Sequence, residues 1–161
     1  GGSNTSIFNN TAPTSSVFTV NTDGVSNGSG KSYVAYCFKE KTGYSKFGIY
    51  TGNGSDDGAF IYTGFKPAFV ITKQTNAGNH WHIHDNKRNP INVVNKQLKV
   101  DSNAVEETPG GGENSRDFLS NGFKMRDSDH NNINGSTYIY LAFAEEPLVA
   151  NVGQSIPATA R

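Results

Sequence analysis

Residues 18–40, FTVNTDGVSNGSGKSYVAYCFKE, and residues 123–145, FKMRDSDHNNINGSTYIYLAFAE, align without a gap at an offset of 105 residues. Phe18 matches Phe123, Asn27 matches Asn132, Gly30 matches Gly135, Tyr33 matches Tyr138, Phe38 matches Phe143 and Glu40 matches Glu145. Each copy reads as a strand, a turn-rich loop and a second strand. In the second strand Tyr33, Ala35 and Cys37 point one way and Val34, Tyr36 and Phe38 the other, because side chains alternate along a strand. The later copy sets Tyr138, Tyr140 and Ala142 against Ile139, Leu141 and Phe143. Both faces are mostly apolar, so each strand is expected in the middle of a sheet, covered on both sides. Two such hairpins, one near each end of the chain, predict an all-β fold. The expected form is an antiparallel β-sandwich (jelly-roll or concanavalin-like) with an internal hairpin repeat.

The rest of the sequence agrees with that class. Only 4 of 161 residues are Leu, whereas 19 are Asn and 18 are Gly. Helical domains lean on Leu, Ala, Glu and Lys, so a helix bundle is excluded. The 10 Phe and 7 Tyr supply the burial that Leu does not. Further strands are expected at Ser16–Val20, Ser32–Phe38, Lys46–Tyr50, Ala59–Tyr62, Ala68–Thr72, His80–His84, Gly122–Arg126 and Thr137–Phe143. Asp23-Gly24, Asn27-Gly28, Asp57-Gly58, Asn121-Gly122 and Asn134-Gly135 supply turns between them. The stretch 85–117, with Pro90, Pro109 and three consecutive glycines, reads as long loops with one short helix around Ser102–Glu107. Residues 1–15 read as an N-terminal arm or linker, 16–149 as the sandwich and 150–161 as a C-terminal arm. The chain opens on Gly1, so a processed product or the end of a longer protein is expected.

Composition also narrows function. Lys plus Arg and Asp plus Glu both number 14, so the basic footprint of a nucleic-acid binder is missing. No apolar run approaches the length of a membrane helix. The single cysteine, Cys37, excludes an intrachain disulfide, and its central strand predicts a small buried residue. Gly30-Lys31-Ser32 lacks the spacing and the subsequent helix of a phosphate loop. There is no Gly-x-Ser-x-Gly elbow, and Glu106, Glu107, Glu113 and Asp117 read as solvated loop charges, so no catalytic residues are assigned.

The blocks SYVAYCFKEKTGYSKFGIYTGNGSDDGAFIYTGFKPAFVITK (32–73), WHIHDNKRNPIN (81–92), DFLSNGFKMR (117–126) and TYIYLAFAEEP (137–147) carry a family likeness. The chain resembles a C-terminal domain recurrent in tail-fibre and other virion structural proteins of marine bacteriophages. The resemblance implies a virion surface protein, with other virion proteins as neighbours, and brings no catalytic residues with it. His82 and His84 depart from the family's usual pattern.

Two constellations are candidates for binding. His80, His82 and His84 alternate with Trp81 and Ile83, so all three imidazoles are expected on one side, about 7 Å apart. Without neighbouring chains they are too far apart to share one ion, so no metal is assigned and His80, His82 and His84 stand only as candidate ligands for a divalent transition metal. The alternative is a polar row with Trp81 and Ile83 in the core. Tyr44, Tyr50, Tyr62, Phe65 and Trp81 lie at or near turns. Tyr44, Tyr50, Tyr62 and Trp81 are candidates to stack on sugars, with the sandwich core as the other place for most of these rings, and Lys87 and Arg88 are candidates to meet anionic cell-surface polymer. Asn53, Ser55, Asp56 and Asp57, like Asp127, Ser128 and Asp129, read as polar turns and not as calcium loops.

The expectation is therefore a virion domain that binds a host-surface receptor, possessing no enzymatic activity and no cofactor. A homo-oligomer, a trimer by analogy with fibres, is expected, without nucleic acid or membrane insertion. A capsid decoration protein and a free-standing carbohydrate-binding module are the alternatives.

Overall fold

The computed structural model describes residues 7–110 and 114–145. Its regular structure is all β: β1 (Ser45–Thr51), β2 (Phe60–Tyr62), β3 (Pro67–Gln74), β4 (His82–Asp85), β5 (Leu98–Lys99), β6 (Arg116–Leu119), β7 (Gly122–Met125) and β8 (Thr137–Ala144). The strands form two antiparallel sheets. One has five strands in the order β1-β8-β3-β4-β5, and the other three in the order β2-β7-β6. Among the described residues no helix is long and apolar enough to cross a membrane.

The chain divides between Phe38 and Lys39 into two compact units, and every strand lies in the second. In that unit β8 sits between β1 and β3, with Tyr140 opposite Gly48 on one side and Thr72 on the other. Strand alternation then sorts the sheet. Tyr50, Tyr138, Tyr140, Ala142, Val70 and Thr72 are buried on its inner face. Tyr50 stacks on Tyr138 at 4.9 Å between ring centroids, and Phe123 of β7 meets Tyr140 edge-on at 5.5 Å. The first pair joins neighbouring strands of one sheet and Phe123 binds sheet to sheet, each pair adding roughly 0.5–1.5 kcal/mol beyond the area it buries. Ile139, Leu141, Phe47, Phe69, Ile71 and Ile83 share the outer face, where most are half-buried.

Six of the eight expected strands are present, with ends shifted by a residue or two. Ser16–Val20 and Ser32–Phe38 form no strand. The later copy of the repeat is also not a hairpin, since β7 and β8 belong to different sheets. Cys37 is exposed, not buried, because the strand meant to enclose it is not formed. In the stretch expected to be loops, β5 and β6 add an edge strand to each sheet. No helix forms around Ser102–Glu107, where Glu107 instead bridges to Gln97. The expected C-terminal arm 150–161 lies outside the described residues, as do the first six residues of the N-terminal arm.

Candidate functional site

Antiparallel pairing of β4 with β3 puts His82 opposite Thr72 and His84 opposite Val70. Both histidines therefore face inward with the buried residues of β3, while Trp81 and Ile83 turn to the outer face. The expected arrangement, with Trp81 and Ile83 in the core, is inverted. Burial has a consequence for charge. His84 is fully buried and neither ring nitrogen has a hydrogen-bond partner of good geometry among the described residues, although the Asn114 backbone lies near enough to favour its charged form slightly. Desolvation, with Arg116 and His82 adding to it, holds it well below the usual histidine range. Desolvation also pushes His82 down to about 4, despite its hydrogen bond with Gln97. Both are neutral near pH 7.

His82 starts a polar chain that crosses β5. Its Nδ1 lies 2.8 Å from Gln97 Oε1, and Gln97 Nε2 donates to Glu107 Oε2 at 2.9 Å. Lys99 Nζ donates to the other carboxylate oxygen at 2.7 Å. This order fixes the proton of His82 on Nδ1 and leaves Nε2 as an acceptor. Along the same edge His80 Nδ1 lies 3.1 Å from Asp101 Oδ1. Together Asn79, His80, His82, Gln97, Lys99, Glu107, Asn114 and His130 wall a groove of about 530 Å³. That volume falls within the roughly 300–1,000 Å³ of small-ligand sites. Asn114 and His130 stand there with φ of 58° and 37°. Left-handed backbone at a histidine costs free energy and concentrates at binding sites.

Behind the groove lies a charged core that sequence reasoning missed. Arg116 is fully buried, with both terminal nitrogens 3.4 Å from Thr72 Oγ1. Thr72 in turn donates to Asn131 Oδ1 at 2.9 Å, and Asn131 Nδ2 donates to Asn114 Oδ1 at 2.6 Å. The Asp127 carboxylate is buried with no hydrogen-bond partner of good geometry, although the Asn114 backbone lies near enough to favour its charged form. Burial raises it to about 6 against the opposing charge of Arg116. Arg116–Leu119 carries no apolar alternation, and Asp127 sits in a turn-rich string, so neither signals burial in the sequence.

The other candidates are scattered. Tyr44 is partly exposed, with its ring edge-on to Phe143 at 6.3 Å. Tyr62 is 64% exposed and borders a second concavity with Lys46 and Thr63. Tyr50 and Phe65 are buried, so Tyr50 is no platform for a sugar: its hydroxyl donates to the Asn131 carbonyl at 2.7 Å. Trp81 is half-buried on the outer side of the approach to β4. Lys87 pairs with Glu145, and Arg88 is held by Asp85 at 2.5 Å and by the Ile83 carbonyl at 3.2 Å, which leaves it little capacity for a ligand. Asp57 is paired with Lys124, and Asn53 is tied to Asn132, as a braced turn requires. Glu106 faces Arg88 and Lys96, and Asp117 faces Arg126. Glu113 lies outside the described residues. Among the described residues no three His, Cys, Asp or Glu side chains group as a metal cage.

A two-sheet antiparallel sandwich with a polar groove at one sheet edge defines the class of this chain. It belongs to the family described as Domain of unknown function (DUF7483), which matches residues 2–147. No curated protein and no solved structure matches it.

Proposed function

We propose that this is a structural and adhesive domain of a virion, the terminal domain of a tail fibre, which binds a host-surface glycan in the groove between β4, β5 and the Glu107–Pro109 loop. The observation that carries this reading is the chemistry of the groove wall. Asn79, Gln97 and Asn114 bring amides, the histidines bring imidazoles, and Lys99 offsets Glu107. Such a wall offers donors and acceptors without a dominant charge, as a hydroxyl-rich, uncharged ligand requires. The chemistry is binding and not turnover, and no cofactor enters it. The half-buried apolar outer face of the five-stranded sheet is the surface on which the domain assembles as a homo-oligomer, a trimer in a fibre. Repeated copies would raise avidity for a shallow site. The resemblance to marine phage tail proteins supports a place on the virion surface.

The test is a glycan microarray probed with the chain and with Gln97→Ala and His80→Ala variants. Retention of a defined glycan by the chain, with at least about tenfold weaker retention by each variant, is expected, since one lost hydrogen bond to a ligand is worth about 1.4 kcal/mol or more. Binding that survives both changes would reject the groove.

A further inference from the structure

The two copies of the sequence repeat share local geometry even though only one of them forms strands. In the later copy the Tyr138 hydroxyl accepts from Ile133 N at 3.0 Å and donates to the His130 carbonyl at 2.9 Å. In the earlier copy the Tyr33 hydroxyl accepts from Gly28 N at 2.8 Å and donates to the Gly24 carbonyl at 2.8 Å. Gly28 is the residue that matches Ile133, and the second acceptor is displaced by one position. Lys31 N reaches the Gly28 carbonyl at 3.2 Å, as Ser136 N reaches the Ile133 carbonyl at 3.0 Å. Gly30 and Gly135 take φ of 70° and 73°. The loop that launches β8 is thus built twice.

Past the loop the two copies diverge. Thr137–Ala144 is the strand between β1 and β3, whereas Ser32–Cys37 joins no sheet among the described residues. Its side chains nevertheless suit the same place. Tyr33 matches buried Tyr138, and Cys37 matches Ala142, a buried position held here by a small side chain. Val34 and Tyr36 match the outer-face Ile139 and Leu141, yet stand 78% and 81% exposed. The division of the chain between Phe38 and Lys39 also falls one period before the junction of Phe143 and Ala144 near the end of β8.

We infer that residues 18–38 are the closing segment of another copy of this same fold, placed ahead of the complete copy in one polypeptide. Ser32–Cys37 becomes a strand when that copy, lacking its own last strands, offers the slot that β8 fills between β1 and β3. The partner is therefore a second sandwich of this kind, and the protein is a member of a tandem array with a period of 105 residues. Each loop and strand of the array closes one copy and leads directly into the first strand of the next.

The test replaces residues 1–17 by a second copy of residues 39–122, so that the upstream sandwich must take its last strands from residues 18–38. The join keeps Gly122, where a Cβ would lie 2.2 Å from the Ile61 carbonyl oxygen. A companion chain carries Ala35→Tyr, which restores the ring that Tyr140 places beside Gly48. The readout is the labelling rate of Cys37 by a thiol reagent, with amide exchange over residues 32–37. In the 161-residue chain Cys37 should label as an open thiol. In the extended chains labelling and exchange should slow by about a hundredfold or more, as docking of a strand into a folded sheet requires. In a control whose upstream copy runs from 39 to 145, its own β8 fills the slot and Cys37 should stay reactive. Fast labelling in both extended chains, or equal protection in the control, would overturn the inference.

Discussion

Tyr138→Phe and Tyr33→Phe remove the same pair of hydrogen bonds from two settings, so their comparison isolates the effect of burial. Tyr138 is fully buried, whereas Tyr33 is 43% exposed. Without its hydroxyl, Ile133 N and the His130 carbonyl lose their partner inside the fold. At roughly 1 kcal/mol net per bond, and more where a group is stranded without water, the change should cost about 2–4 kcal/mol. Around Tyr33 water takes over both groups, and the cost should stay below about 0.5 kcal/mol. Urea unfolding followed by tyrosine and tryptophan fluorescence together reads both units, through Tyr36 in the first and Trp81, the only tryptophan, in the second. With a slope near 2 kcal/mol per molar, Tyr138→Phe should lower the midpoint by about 1–2 M. Tyr33→Phe should leave it in place. Equal shifts, or a Tyr138→Phe shift under about 0.3 M, would refute the reasoning that burial sets the value of these bonds.

Three further outcomes are expected. Gly48→Ala should destabilise by about 1–3 kcal/mol in thermal unfolding, because the added Cβ would lie 2.8 Å from Tyr140 Cε1 and overpack the core. Arg116→Met should cost about 1–3 kcal/mol by stranding the Thr72 hydroxyl and removing the charge that favours the buried Asp127 carboxylate, and Arg116→Met with Asp127→Asn should recover part of that loss in a double-mutant cycle. Acidification should destabilise through His82: its folded value, about 4, lies below the ordinary 6.5, so its contribution is full above 6.5 and is lost as pH falls toward 4. Asp127 opposes this, since its folded value of about 6 lies above the ordinary 3.8 and its contribution, present below 3.8, is lost as pH rises through 6. The His82→Gln variant should therefore lose less stability than the parent between pH 6 and 5, by up to about 1.4 kcal/mol per pH unit in urea titrations.

The sequence declared its apolar strands and hid its polar ones. Lys46–Tyr50, Ala68–Thr72 and Thr137–Phe143 were legible because their alternation matches a sheet with an apolar core. Arg116–Leu119 was not, because Phe118 shares its inward side with an arginine whose neighbours, Thr72 and Asp127, come from other parts of the chain. The histidine row was visible, but its direction was not, since alternation cannot say which side is the core when imidazoles and a tryptophan compete for it. Ser32–Phe38 shows the opposite failure. Its pattern is that of a central strand, which needs a sheet neighbour on each side and cover on both faces, and in this chain β8 occupies the matching place. The groove was legible only through His80 and His82; Gln97, Glu107, Asn114 and His130 join it through loop geometry that no local pattern encodes.

The most direct measurement of the binding account is an NMR titration of the amide-labelled chain with the glycan retained on the array. Shifts are predicted at Asn79–His82, Gln97–Lys99, Glu107, Asn114 and His130, with the region around Tyr62–Gly64 unmoved. Shifts confined to Tyr62–Gly64, or none at saturating glycan, would contradict it.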